Sequence, residues 1–225
     1  MCRCFRKFRV PTLLLGILLA FPGCALLPRP PQAMTLLTLE VPAAAPAPKI
    51  RKGNPVLQIA PVAAVTALQG SDFLYRRGGP VVHRFARHRW LAPPAELIDQ
   101  ALMEHLAPRL PFTVVRPGQG VMPPATLNLT LLRLEQVFTG EGSEIHLVLQ
   151  AQLVDRDRGR VVGTRLFRYR QPAPEASPRG GAEAAGIALG RFFTELRRWL
   201  VAYREQGSFH SVSSSTSSPP GRAYQ

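Results

Sequence analysis

Cys24 is the residue of this chain whose surroundings most directly predict a specific chemistry. A basic segment, an apolar run at residues 13–21 and the small residue Gly23 precede it in that order. Lipoprotein signal peptides have this arrangement, and they are cleaved directly before a cysteine that is then acylated. We therefore expect residues 1–23 to be a signal peptide and Cys24 to be the lipid-bearing first residue of the mature chain.

Two other interpretations of this N-terminal segment are weaker. A membrane-spanning helix needs about 20 apolar residues, and the apolar run is much shorter. A simple secretory signal would leave Cys24 as a lone thiol in an oxidising compartment. The two remaining cysteines, Cys2 and Cys4, lie inside the signal. After cleavage the chain would therefore have no disulfide and no thiolate for metal binding or nucleophilic catalysis.

Other residues that could do chemistry do not form a recognisable motif. The five histidines have no metal-ligand spacing such as HExxH, and no cysteine remains to join them. Asp155 and Asp157 resemble the start of a calcium-binding loop, but Arg160 and Leu166 stand where such a loop needs Gly and Glu. The sequence has no nucleophile elbow, phosphate-binding loop or dinucleotide-binding motif. We therefore predict a protein that is not an enzyme, with no metal and no cofactor, and we interpret residues 155–160 as a hairpin turn.

The net charge narrows the class of partner. The chain has 28 basic and 14 acidic residues, and only four of the basic ones, with no acidic one, lie in residues 1–23. The mature chain would therefore be strongly cationic, which favours anionic partners. Export excludes nucleic acid as a physiological ligand, so lipid phosphates, lipopolysaccharide or an acidic protein remain. An arginine-rich surface that only reflects coding bias is the alternative.

The elements that must position these residues belong to one domain. Residues 24–55 are rich in Pro and Ala and predict an extended tether, in which residues 34–41 could form a short strand. Residues 206–225 are rich in Ser, Pro and Gly and predict a disordered tail. The segment 56–205 between them is long enough for one core and too short for two ordinary domains.

Apolar periodicity in that segment predicts an α+β fold. Pro93 and Pro94 open a predicted helix whose apolar residues share one face until Pro108. Three alternating runs then predict an antiparallel meander, and a last helix at residues 182–203, with Trp199 on its apolar face, covers it. The predicted strands are residues 56–59, 73–76, 81–85, 112–116, 127–131, 145–153 and 162–169. We therefore predict a single α+β domain in which an antiparallel sheet with a meander packs against two helices.

Three segments carry a resemblance to a known family. They are Asp-Phe-Leu-Tyr-Arg at residues 72–76, Arg-Trp-Leu-Ala-Pro at residues 89–93 and the amphipathic helix at residues 97–106. In this order, followed by a meander and a last helix, they resemble the ABC-type transport auxiliary lipoproteins. That family includes the lipoprotein partners of paraquat-inducible and Mce-type transport systems. The resemblance covers about residues 56–203.

The resemblance implies a non-catalytic envelope protein. Such a protein works with an inner-membrane ABC transporter or permease and an Mce-domain protein, and the system moves phospholipids or other hydrophobic molecules between membranes. Ala25 follows Cys24 in place of the Asp that retains lipoproteins in the inner membrane, which favours an outer-membrane anchor facing the periplasm.

Four residues of the resembling segments are candidates for the partner surface: Tyr75, Arg76, Arg89 and Trp90. Aromatic and arginine side chains dominate interface hot spots. The alternative is that the two aromatic residues pack in the core and the arginines form local ion pairs.

Two other functions remain open at this stage. One is a periplasmic chaperone that binds lipid or lipopolysaccharide alone, and the other is a structural lipoprotein associated with the cell wall. An apolar cavity beneath the meander would favour a carrier, whereas a filled core would favour docking. Self-association is also left open.

The lipid anchor gives the first testable prediction. Cys24→Ala should release the protein from membranes, because the acylated side chain is lost. Membrane fractionation and labelling with a fatty-acid analogue measure this. A variant that stays with the membranes and is labelled as fully as the parent would contradict the lipoprotein interpretation.

Overall fold

The computed structural model describes residues 33–42, 53–120 and 122–205. The predicted signal peptide, Cys24 and the predicted tail lie outside these residues. Within them the chain forms nine strands, two α-helices and shorter helical turns. In chain order these are β1 (Thr35–Leu37), β2 (Val56–Ile59), β3 (Ala63–Ala64), a 3-10 turn (Thr66–Leu68), β4 (Asp72–Arg76), β5 (His83–Trp90), α1 (Pro94–Ala101), a π turn (Leu102–Leu106), a 3-10 turn (Ala107–Arg109), β6 (Thr113–Val115), β7 (Ala125–Thr139), β8 (Gly142–Asp155), β9 (Arg160–Pro172) and α2 (Pro178–Glu205). Among the described residues, no helix combines the length and the hydropathy that a bilayer crossing requires.

β7 is the strand around which the sheet is organised. It has 15 residues and pairs antiparallel with β8 from Ala125 to Thr139. Three shorter strands pair with its other edge in succession, and all are parallel to it: β2 near its start, β3 in its middle and β4 near its end. The sheet continues from β2 to β6, and from β4 through β5 to β1.

The sheet is mixed, so the prediction of an antiparallel sheet is wrong for part of the molecule. The meander of β7, β8 and β9 is antiparallel, as expected. However, β1 is parallel to β5, β6 is parallel to β2, and three strands are parallel to β7. Parallel strands need a crossover connection, and α1 lies in the segment that connects the parallel pair β2 and β6. Alternating runs in a sequence indicate strands but not these long-range pairings.

Both helices contribute to one hydrophobic core, on the side of the sheet that we call the inner face. On α2, Phe192, Leu196 and Leu200 are completely buried, and Phe192 meets Phe167 of β9 edge to face with centroids 5.1 Å apart. Trp199 packs against this core and stays partly exposed. The predicted apolar face after Pro93-Pro94 is buried as expected, but the α-helix ends at residue 101 and a π turn continues it.

A bulge in β7 changes which residues face the core. The register shifts between Leu131 and Arg133, where β7 has one residue more than β8. Side chains of a strand alternate between the two faces, so one extra residue reverses the faces beyond it. After the bulge Leu134 and Gln136 lie on the inner face, and Glu135 lies on the opposite, outer face.

The start of α2 differs from the prediction, because the helix begins at Pro178 and not at residue 182. Ser177 caps it: the Ser177 Oγ accepts a hydrogen bond from the Gly180 N–H at 3.1 Å. Gly180 and Gly181 therefore belong to the first turn, and a Cβ at Gly181 would collide with the Gln136 side chain. Gln136 Nε2 also donates to the Ser177 carbonyl at 2.9 Å, which fixes this end of the helix against β7.

Two glycines of α2 face the segment that follows β1, and they allow a matched test. A Cβ at Gly186 would overlap the backbone of Glu40, whereas a Cβ at Gly190 would lie 3.6 Å from Val41 and Pro42, an ordinary contact. Gly190→Ala should raise the free energy of unfolding by up to about 1 kcal/mol, the usual difference in helix propensity. Gly186→Ala should displace the backbone around Glu40, so that amides of residues 38–41 exchange with solvent faster.

Denaturant melts and hydrogen–deuterium exchange of the two variants measure these effects. Equal exchange of residues 38–41 in both variants would contradict the close approach of the chain at Gly186.

Candidate functional site

The hairpin of β4 and β5 carries all four residues predicted to contact a partner. Tyr75 and Arg76 end β4, and Arg89 and Trp90 end β5. Successive residues of a strand face opposite sides of a sheet, so the two aromatic candidates and the two arginine candidates lie on opposite faces of the hairpin. Tyr75 and Trp90 lie with the aromatic side chains of the inner face, whereas Arg76 and Arg89 meet carboxylates on the outer face.

On its inner face the hairpin carries a row of aromatic rings that leads from the core toward its turn. Phe73 is completely buried, and its ring centroid lies 4.5 Å from that of Trp90. Phe85 follows, 5.2 Å from Phe73 and 4.4 Å from Tyr75. Phe138 of β7 meets Tyr75 at 5.9 Å. We call these five residues the aromatic row, and its end at Tyr75 is half-buried.

Trp90 lies in the core. Its side chain is 1% exposed, and its indole N–H has no hydrogen-bond partner within the described part of the chain. Backbone pairing places it opposite Leu37 of β1. Of the four candidates, Trp90 can therefore act on a partner only by supporting β5, which is the alternative that the sequence left open for it.

The tip of the hairpin exposes aliphatic and cationic groups side by side. Val81 and Val82 are 56% and 43% exposed. The Arg77 guanidinium lies over the rings of Tyr75 and Phe138, 5.6 and 5.4 Å from their centroids, in cation–π geometry. Exposed aliphatic side chains beside an arginine and an aromatic ring form a surface suited to protein contacts.

Arg76 forms a half-buried ion pair, which agrees with the alternative that the arginines pair locally, although the sequence did not identify its partner. Its guanidinium lies 3.0 Å from Glu135 and also donates to the Gly79 carbonyl at 3.2 Å. The Glu135 side chain is only 6% exposed, and its second partner, Arg133, is 3.8 Å away. A buried carboxylate needs such a partner, so Arg76 supports the fold as well as the surface. The neighbouring leucines at 131 and 132, where the apolar alternation slips by one residue, are the sequence signal that could have placed Glu135 on the outer face.

Arg89 belongs to a more exposed group on the same face. Asp72 lies 3.2 Å from Arg84 and 3.8 Å from Arg89, and the two arginine side chains are 74% and 52% exposed. Exposed ion pairs contribute little to stability. These two arginines are therefore available to a partner at little cost to the fold.

Further along the outer face, β8 presents polar side chains. His146 lies 2.6 Å from Glu144, two residues before it on the same strand. Gln150 and Gln152 alternate along the same face and are half-buried. Within the described residues, no group of three or more acidic, histidine or cysteine side chains is arranged to hold a metal ion.

The turn between β8 and β9 is a hairpin turn, as predicted. Asp155 accepts hydrogen bonds at 3.0 Å from the Arg158 N–H and from the Arg158 guanidinium. The backbone N–H contributes most to lowering the pKa of the Asp155 carboxyl below its usual value. Because the pKa is lower in the folded chain, this carboxylate stabilises the fold at neutral pH, and the contribution is lost as the pH falls below about 4.

The space beneath the meander is filled by side chains. Leu147, Leu149 and Leu153 of β8 are at most 1% exposed and share one cluster with the apolar face of α2. A cavity of about 280 Å³ lies elsewhere, between residues 38–41 and the end of α1. Its lining mixes Leu39 with polar side chains such as Glu104. Sites for drug-sized ligands start at about 300 Å³ and are mainly apolar, so this cavity is small for a lipid.

Comparison with known proteins identifies a family. The family model for the ABC-type transport auxiliary lipoprotein component matches residues 37–196, which is more than half of the chain. A search of curated protein sequences finds no significant match.

Solved structures show the same fold. Protein XCC0632 from Xanthomonas campestris, of the DUF330 family, aligns with 77% of this chain and 98% of its own length, at 20% identity and a TM-score of 0.68. An uncharacterised protein aligns with 75% of this chain and 99% of its own length, at 15% identity and a TM-score of 0.58. At these identities the likeness shows the fold alone.

Burial predicts different roles for the two outer-face arginines of the candidate site. Arg76→Gln should lower the free energy of unfolding by about 1–3 kcal/mol, because Glu135 would remain buried with only its weaker partner. Arg89→Gln should lower it by less than about 1 kcal/mol, because its ion pair is exposed. Urea denaturation measures both values, and adding Glu135→Gln to Arg76→Gln should restore part of the loss. Equal losses in the two single variants would contradict this assignment.

Proposed function

The chain belongs to the ABC-type transport auxiliary lipoproteins, and from this membership we propose that it is a non-catalytic, lipid-anchored subunit that docks on an Mce-domain protein. Together with an inner-membrane ABC transporter or permease, that complex moves phospholipids or other hydrophobic molecules between membranes. The proposed anchor is the acylated Cys24, and the proposed location is the periplasmic side of the outer membrane.

The observation that carries the docking proposal is the hairpin of β4 and β5. Its tip exposes two valines beside a stacked arginine, and its outer face exposes Arg84 and Arg89. Behind this surface the aromatic row is anchored in the core by Phe73 and Trp90. A rigid support beneath exposed contact groups reduces the side-chain ordering that binding would otherwise cost.

The filled core favours docking over carriage. A carrier that shields acyl chains needs a concave apolar pocket, but the inner face of the meander is occupied by α2. This supports the docking subunit against the stand-alone lipid or lipopolysaccharide chaperone. Nothing in the described residues favours the structural cell-wall lipoprotein over either.

The docking proposal is tested by reversing the two exposed charges of the hairpin. Arg84→Glu combined with Arg89→Glu should weaken capture of an Mce-domain protein from the same organism by roughly tenfold, because two favourable charge contacts become repulsive. Binding is measured with purified proteins by biolayer interferometry, and folding by thermal melting.

The matched control carries the same change of charge on a helix. Arg179→Glu combined with Arg198→Glu alters α2, where both side chains are exposed, and should bind the partner as tightly as the parent does. If the hairpin variant keeps its melting temperature and binds as tightly as the parent, the partner surface does not include this hairpin. If extraction recovers one bound lipid per chain, the carrier function replaces the docking function.

A further inference from the structure

β9 forms a long edge of the sheet. Its 13 residues pair with β8 on one side. No other strand of the described chain pairs with its second side. The strands at the other ends of the sheet, β1 and β6, have three residues each, and β3, which pairs only with β7, has two. A long unpaired edge presents a row of backbone N–H and C=O groups that can accept a further strand.

The side chains of this edge strand carry one sign of charge. From Arg160 to Pro172 there are four arginines and no acidic residue. Arg165 lies 3.7 Å from Glu195 of α2. Arg168 and Arg170 are exposed, and neither has an ion-pair partner in the described part of the chain. The charge beside the free edge is therefore largely uncompensated.

This charge decides which kind of strand the edge can accept. A second copy of the chain, paired edge to edge, would bring arginines against arginines, and like charges on adjacent strands are destabilising. A membrane surface offers phosphates but no backbone groups in strand geometry. An extended acidic segment would satisfy both the backbone groups and the arginines.

We propose that the free edge of β9 binds an acidic, extended segment of a protein partner by strand addition. Arg168 and Arg170 select the segment by charge, and the backbone of β9 holds it. The surface lies on a different edge of the sheet from the hairpin of β4 and β5, so this inference does not depend on the docking site proposed above.

The test uses a probe of defined chemistry. A ten-residue peptide that alternates Glu and Val is added to the protein, with a peptide that alternates Lys and Val as the matched control. The Glu peptide should bind, and amides of β9 should become protected from hydrogen exchange. Arg168→Glu with Arg170→Glu should weaken its binding by roughly tenfold, and Arg168→Gln with Arg170→Gln should weaken it less. The hairpin variant with Arg84→Glu and Arg89→Glu should bind the Glu peptide as tightly as the parent does.

Four results would overturn the proposal. The first is that the Glu peptide does not bind, which leaves the arginines only a role against aggregation. The second is that the Lys peptide binds equally well, and the third is that amides outside β9 become protected. The fourth is that the hairpin variant loses more peptide binding than the β9 variant. Self-association of the parent that protects the amides of β9 without any peptide would instead assign the edge to a second copy. Equal protection of β9 by phosphatidylglycerol vesicles would assign it to a membrane surface.

Discussion

The fold depends on β7, because this strand pairs with other strands along both of its edges. One side of this strand is paired over its whole length, and the other side is divided among three short strands that lie one after another. The bulge between Leu131 and Arg133 divides β7 into two parts that turn different positions toward the core. Without it the odd positions would continue inward, and Glu135 would lie in the core. With it, Gln136 reaches the start of α2 and Glu135 reaches Arg76 on the outer face.

The few acidic residues near the core are used to hold elements together. Asp99 of α1 accepts from the Val62 N–H at 3.2 Å and from both terminal nitrogens of Arg116 at 3.1 and 2.7 Å, so it joins α1 to the chain around β3 and β6. Glu135 joins β7 to β4 in the same way. Basic residues outnumber acidic ones two to one in the whole chain. Much of the excess on the described surface lies on the outer face of β5 and along β9, where the charges are not needed for folding and can act on partners.

Sequence reasoning succeeded where the determining interactions are local. The meander and α2 have strong apolar periodicity, and the Pro93-Pro94 helix start follows from the geometry of proline. The parallel pairings with β7 were missed because they join residues far apart, and β5 was predicted too short because its exposed face is cationic. The buried partner of Arg76 was missed for a third reason: its face depends on the bulge. Tyr75 and Trp90 were both named as candidates for the partner surface, but the predicted strand ended at residue 85, before Trp90, and residue type alone could not separate the buried ring from the half-buried one.

The position of β1 limits how far the domain can lie from its proposed anchor. Thr35–Leu37 pairs with His88–Trp90, so the sheet begins well before Val56. Ten residues separate Cys24 from Thr35, and a fully extended chain of that length spans about 35 Å. A free tether over the whole of residues 24–55 would reach about three times as far. If Cys24 is acylated, β1 and the residues of β5 paired with it are therefore confined to roughly this distance from the lipid-bearing residue.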